Sequence, residues 1–215
     1  MIASYSNNLI FLKTMKTGGT SVETVLSLWC SGRDIVTPFA KDDEVLRARL
    51  GGRPMNYSGG WFRSAFSNHQ RAADVRRKIR PLWDRAFKFT VERHPYERVV
   101  SLVYWRIRQR GGNSETEFAD EIERVFERRR GISNRPIYCI DDKIAVDEVI
   151  RYENLWTRMA EIAASLGRAL PDELPKAKAG HRADLRPARE ILTDRQKEQI
   201  YALTSRDFEE LGFER

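Results

Sequence analysis

Three adjacent segments near the start of the chain constrain the fold most. Leu9-Ile10-Phe11-Leu12 is an unbroken apolar run, and residues 8–14 read as a short buried strand. Lys16-Thr17-Gly18-Gly19-Thr20-Ser21 follows as a glycine turn. Val22, Val25, Leu26 and Trp29 then fall on one helix face, and Thr20 with Glu23 has the spacing of a capping box at its start. Strand, glycine loop and helix in this order build an anion cradle. Glycines let backbone approach an anion closely, and the N–H groups and dipole of a helix N-terminus favour negative charge. Thr17, Thr20 and Ser21 add hydroxyls, and Lys16 adds an ammonium. A plain strand-to-helix turn is the alternative. The loop lacks the Walker A order G-x-x-x-x-G-K-S/T, because Lys16 precedes both glycines.

Downstream, strand and helix patterns alternate. Phe87, Phe89 and Val91 alternate with Lys88, Thr90 and Glu92, which predicts a two-faced strand. Pro95 suits the first turn of a helix with a stripe of Val99, Leu102, Val103 and Ile107. Residues 34–37 and 146–152 read as further strands. Ser114 with Glu117 and Thr193 with Gln196 read as helix caps, and residues 167–190 as a long loop. Alternating strands and helices predict an α/β fold, P-loop-like and three-layered, with a mainly parallel central sheet flanked by helices. A length of 215 residues suits a single domain, 1–215.

Charge narrows the partner. The chain is +7 overall, and residues 71–110 hold twelve Lys/Arg against four Asp/Glu. The excess base lies in that one stretch, which suits an anionic partner or a solvated arginine-rich surface. Hydrophobic residues at 41% and charged residues at 32% argue against disorder. No apolar run approaches the ~20 residues of a membrane span, or a signal h-region, so the expectation is no membrane span and a cytoplasmic location. Cys30 and Cys139 have no CxxC spacing and read as reduced thiols; His69, His94 and His181 are too scattered for a metal cage, so no metal is expected.

A second anion site is suggested by Arg93, which directly follows the strand 87–92. An arginine there stands where open α/β sheets bind ligands, and Ser101 lies on the helix beyond it. Arg98 reads instead as an ion-pair partner of Glu97 or Glu92.

Lys16-Thr17-Gly18-Gly19-Thr20-Ser21 resembles the phosphosulfate loop of the sulfotransferases that use 3′-phosphoadenosine 5′-phosphosulfate (PAPS). Val91-Glu92-Arg93-His94-Pro95-Tyr96-Glu97-Arg98-Val99-Val100-Ser101 resembles their 3′-phosphate motif, in which Arg and Ser lie eight apart. Ile150-Arg151-Tyr152-Glu153-Asn154-Leu155 and Phe208-Glu209-Glu210-Leu211-Gly212-Phe213 are similar to later family segments, and the likeness is to the carbohydrate-type enzymes. The resemblance implies that Lys16 contacts the bridging oxygen between the sulfuryl group and the 5′-phosphate. Thr17, Gly18, Gly19, Thr20 and Ser21 would cradle that phosphate, and Arg93 and Ser101 would hold the 3′-phosphate. Arg182, in Gly180-His181-Arg182, matches a late basic loop over the nucleotide. His69, 24 residues before Arg93, matches the place of the general base. Glu153 is the other candidate base, although a core hydrogen-bond acceptor is the preferred reading for it. His94 adjoins Arg93, which disfavours its imidazolium. The resemblance implies a hydroxyl acceptor, with a glycan as the candidate the carbohydrate-type likeness suggests, and no nucleic acid partner is expected.

Two other readings stay open. A P-loop-type nucleotide-dependent kinase would need magnesium, with Asp141, Asp142 or Asp147 to hold it. A basic nucleic-acid-binding module would use residues 71–80 and 93–110. The aromatics Tyr57, Trp61, Phe62 and Phe66 in residues 51–67 suit stacking on an acceptor, or equally a small satellite core. Oligomeric state is not legible.

Overall fold

The computed structural model describes residues 1–56, 66–113, 116–172, 175 and 184–215. They fall into two compact units. The first comprises Met1–Thr14, Gly18–Glu92 and Arg135–Ala177; the second comprises Met15–Thr17, Arg93–Asn134 and Lys178–Arg215.

The first unit holds a five-stranded sheet. Its strands are β1 (Ile2–Ser4), β2 (Leu9–Leu12), β3 (Ile35–Val36), β4 (Phe87–Glu92) and β7 (Glu148–Arg151), in the order β3-β1-β2-β4-β7. β2 runs parallel to β4 and β4 parallel to β7, with Leu12 opposite Thr90 and Glu92 opposite Arg151. β1 is antiparallel to both β2 and β3. The fold is therefore α/β, and its sheet is mixed. A strand at residues 2–4 has no readable period, and the tight turn into β2 makes the pair antiparallel. A separate hairpin joins β5 (Cys139–Ile140) to β6 (Lys143–Ile144). Its two turn residues, Asp141 and Asp142, both have positive φ, as a two-residue hairpin turn requires.

Around this sheet the unit places α1 (Gly19–Leu28), α2 (Lys41–Arg49), α3 (Ala72–Lys78), α4 (Arg80–Trp83), α7 (Arg135–Tyr138) and α8 (Leu155–Ser165). The predicted α1 stripe of Val22, Val25, Leu26 and Trp29 is buried, and packs with Phe11, Phe89 and Val91 and with Leu155, Met159 and Ile162 of α8. Phe11 and Phe89 face each other across the parallel pair, ring centroids 5.0 Å apart. Each such side chain contributes ~1.5–3 kcal/mol of burial. Phe66 is also buried, under the Lys78 ammonium, which fits the satellite-core reading for that residue. Tyr57, Trp61 and Phe62 lie outside the described residues.

The β1–β2 turn is held by Asp34, which is fully buried. Its carboxylate accepts from Ser4 Oγ (3.0 Å), Ser6 N (3.0 Å), Ser6 Oγ (2.6 Å) and Ser31 N (2.6 Å). Burial alone would raise its pKa, but these donors outweigh burial and hold it below the usual carboxylate value. A depressed folded pKa gives stability that is present above the unfolded value of ~3.9 and is lost as pH falls through the folded value. Asp34→Ala is accordingly expected to cost ~1–3 kcal/mol at pH 7, by urea unfolding. The gap to the parent should narrow at pH 3; an equal gap at both pH values would remove the carboxylate from the explanation. Burial, seconded by Asp34, also pushes the Cys30 thiol up to about 12, so Cys30 stays a neutral thiol at ordinary pH. Both cysteines are free.

The second unit holds α5 (Pro95–Gln109), α6 (Phe118–Arg128), α9 (Ala188–Ile191) and α10 (Asp194–Leu211). The predicted α5 stripe of Val99, Leu102, Val103 and Ile107 is wholly buried in its core, with Ile122, Val125, Phe208 and Phe213. Thr193 and Gln196 form the predicted capping box: Gln196 N–H reaches Thr193 Oγ1 (3.3 Å), and Thr193 N–H reaches Gln196 Oε1 (3.0 Å). The other predicted box lies partly outside the described residues, at Ser114. α10 kinks at Thr204, whose hydroxyl bonds back to the Ile200 carbonyl (2.6 Å). Arg98 has a carboxylate partner that its neighbours in sequence do not suggest. It is buried against Asp207, Nη2 to Oδ2 2.8 Å, and also donates to the Ile132 carbonyl (2.6 Å). No described helix is long and apolar enough to cross a membrane.

Candidate functional site

The loop after β2 begins with Lys13, whose ammonium is buried. It pairs with Glu23 Oε2 at 2.8 Å and lies 4.4 Å from the centroid of the Phe39 ring. Glu23 also receives the amino group of Met1. This settles the helix start differently from the predicted capping box. A carboxylate held by a buried ammonium and a buried amino group does not turn back to cap. Gly18 is the N-cap instead, at φ +75°, and its carbonyl accepts from Ser21 N–H (3.0 Å) and Val22 N–H (3.3 Å). α1 carries no acidic residue in its first turn, so nothing there opposes an anion.

Two glycines are needed for different reasons. Gly18 sits in the left-handed region, and a Cβ there would stand 2.9 Å from Tyr152 Cε2. At Gly19 a Cβ would stand 2.7 Å from Lys13 Cγ, and the Lys13 head is pinned by Glu23. Gly19→Ala is expected to cost ~1–3 kcal/mol through this overpacking, read from the shift in the urea midpoint. An unshifted midpoint would mean that the Lys13 stem moves freely. Ser21 Oγ donates to the Pro175 carbonyl at 2.5 Å, so its proton is committed within the protein.

His69 is exposed on the segment before α3. Its Nδ1 lies 2.9 Å from the Lys13 carbonyl oxygen. A carbonyl only accepts, so Nδ1 is the donor, and in the neutral ring this contact favours the tautomer with its lone pair on Nε2. Glu153, read as a core acceptor, is instead half-exposed beside Arg151 (3.6 Å). Nothing in β7 or α8 encloses it, because Tyr152–Asn154 form a short 3₁₀ turn with no buried residue.

The remaining predicted residues belong to the second unit. Lys16 is half-buried at φ +62°, with Nζ 5.4 Å from the Trp105 ring centroid. Thr17 is fully buried. Arg93 Nη2 meets Glu97 Oε2 at 2.9 Å, and Glu97 Oε1 accepts Ala188 N–H at 2.6 Å, so Glu97 orients the guanidinium from a fixed position. Ser101 is half-buried on α5. His94 caps α5. Its Nδ1 accepts Tyr96 N–H (3.2 Å), and its Nε2 lies 2.8 Å from the Glu214 carbonyl oxygen, which occupies both ring nitrogens. Arg182 and His181 lie outside the described residues. The structure thus gathers Lys16, Thr17, Arg93 and Ser101 in one unit, and Gly18, Gly19, Thr20, Ser21 and His69 in the other.

Sequence reasoning missed Asn134. Its buried amide accepts Met15 N–H (2.9 Å) and donates to the Met15 carbonyl (3.1 Å), clamping the backbone just before Lys16 as a strand partner would. No pattern signals it, since the partners are 119 residues apart.

The acids offered for magnesium have other work. Asp141 and Asp142 form the hairpin turn, and Asp147 accepts Lys88 N–H at 2.7 Å and pairs with its ammonium at 2.9 Å. Comparison with protein families, with curated proteins and with solved structures finds no match to this chain.

Proposed function

We propose that the chain is a sulfotransferase that moves a sulfuryl group from PAPS to a hydroxyl acceptor, on a carbohydrate or glycoconjugate, by in-line displacement. One observation carries the reading. β2 and β4 are parallel neighbours in register, so the segment leading to the glycine loop and the segment leading to Arg93 both leave the carboxyl edge of adjacent strands. That edge is where open α/β sheets place ligands. A nucleotide phosphorylated at both ends needs two anion sites, and the resemblance puts one in each segment.

In this proposal Lys16 stabilises charge on the bridging oxygen as the sulfur–oxygen bond breaks. The loop of Thr17, Gly18, Gly19, Thr20 and Ser21 holds the 5′-phosphate, with the Ser21 hydroxyl exchanging its Pro175 partner for a phosphate oxygen. Arg93, oriented by Glu97, and Ser101 hold the 3′-phosphate. His69, with its lone pair on Nε2, takes the acceptor proton as the new sulfur–oxygen bond forms. Sulfuryl transfer resembles phosphoryl transfer in that the protein mainly positions the partners and stabilises charge. Arg182 would add a contact from the late loop.

Calorimetric titration with the desulfated nucleotide PAP tests the donor site. The expected result is one site of micromolar affinity, unchanged by magnesium chelation. Absence of binding heat across a range of temperatures ends the proposal. A labelled-PAPS transfer screen over hydroxylated glycans and small hydroxyl compounds then identifies the acceptor.

A further inference from the structure

A cleft of about 550 Å³ opens at the amino ends of β2 and β4, the opposite end of these strands from the glycine loop. The volume is that of a site for a small organic molecule. Its construction is regular. Arg158, Glu161, Ile162, Ser165 and Leu166 are spaced along one face of the α8 helix and the residue just past it, and they form one wall. Leu9 and Phe87, the first residues of their strands, form the floor. The third side is the β1–β2 turn, where Asn8 takes the left-handed conformation at φ +52°.

Charge is divided across the cleft. On the α8 wall Arg158 is held bidentately by Glu148 (2.7 and 2.7 Å) and also contacts Glu161. One cation with two carboxylates leaves that wall acidic. On the turn side Arg85 donates Nε–H to Asn8 Oδ1 (3.1 Å), and Arg168 donates to Asn7 Oδ1 (2.9 and 3.1 Å). Neither arginine meets a carboxylate among the described residues. An amide oxygen orients a guanidinium without neutralising it, so Arg85, the cation that lines this side, presents its charge above an apolar floor, while the Asp34 carboxylate of the turn is buried and taken up by Ser4, Ser6 and Ser31.

We propose that this cleft binds a small amphipathic organic anion. Its aromatic or alkyl body lies on Leu9, Phe87, Ile162 and Leu166, and its carboxylate or sulfonate meets the guanidinium of Arg85. The site is separate from the proposed nucleotide site and does not rest on the sulfotransferase reading.

The probe is anilinonaphthalene sulfonate, titrated into the full chain and followed by fluorescence. One saturable site is expected, with Kd on the order of 10 to 100 µM for a ligand of this size. Decanoate should displace the probe, while decylammonium and PAP should not. Arg85→Ala removes the charged contact and is expected to weaken binding ~10-fold or more. Ser165→Trp, at an exposed position on the α8 wall, fills the cleft and is expected to abolish binding. Both positions are exposed, so the far-UV circular dichroism and the urea midpoint should stay those of the parent. Failure to saturate overturns the proposal. So does probe binding that survives Ser165→Trp, or that Arg85→Ala leaves unchanged, or displacement by decylammonium as readily as by decanoate.

Discussion

Asp207→Ala is expected to destabilise the protein by ~3–5 kcal/mol, the loss that follows when one partner of a buried ion pair is removed. Arg98 and Asp207 are both 0% exposed, and their groups meet at 2.8 Å. The truncation removes the Asp207 carboxylate from a guanidinium buried in the core of the second unit, where the Ile132 carbonyl remains a partner. Total stabilities of ~5–15 kcal/mol make this a large fraction. At ~2–4 °C per kcal/mol for a chain of this size, Tm should fall by ~6–20 °C in calorimetry. Asp207→Asn keeps an acceptor and should lose less. The double variant Arg98→Met with Asp207→Leu should recover most of the loss, because two apolar groups of similar volume leave no charge uncompensated. A single Asp207→Ala change within 1 kcal/mol of the parent would show that Arg98 reaches solvent or another carboxylate.

The second large effect concerns the proposed chemistry. Lys16→Ala is expected to lower sulfuryl transfer ~10²–10³-fold, the range seen when one preorganised group facing developing charge is lost. Affinity for PAP should change far less, because that product lacks the sulfuryl group whose departure Lys16 assists. Arg93→Ala should show the opposite division. Losing a charge-assisted phosphate contact worth ~1.5–3 kcal/mol weakens PAP binding ~10–150-fold. Transfer at saturating PAPS should be affected less. Calorimetry for binding and labelled PAPS for transfer separate the two. A Lys16→Ala protein that keeps a third of the parent's transfer rate would remove Lys16 from the chemistry.

Local patterns transmitted well from sequence to structure. β4 spans Phe87–Glu92 as its alternation predicts, and the α1 and α5 stripes are buried residue for residue. The Thr193–Gln196 box forms because both partners lie within one turn, where nothing else competes for them. Long-range pairing is where reading failed. Glu23 has the spacing of a cap and is taken by Lys13, and Arg98 has acids one and six residues away yet pairs with Asp207, 109 residues on. Desolvated charges choose partners by where the fold brings them, and spacing along the chain carries no trace of that. β1 was illegible because three residues cannot display a period, and its hairpin into β2 is what turns an expected mainly parallel sheet into a mixed one. For the site, the glycine loop and Arg93 were visible as residue types. The Asn134 clamp on Met15 and the hold of Glu97 on Arg93 were not.

The backbone at Lys16, at φ +62°, has a consequence for how this segment would evolve. An L-residue in the left-handed region costs ~1–2 kcal/mol that glycine does not incur. Lys16→Gly should therefore raise thermal tolerance even as it deletes the ammonium. A lineage drifting without demand on its chemistry would be expected to accumulate glycine there, so lysine at this position is what a retained task would preserve.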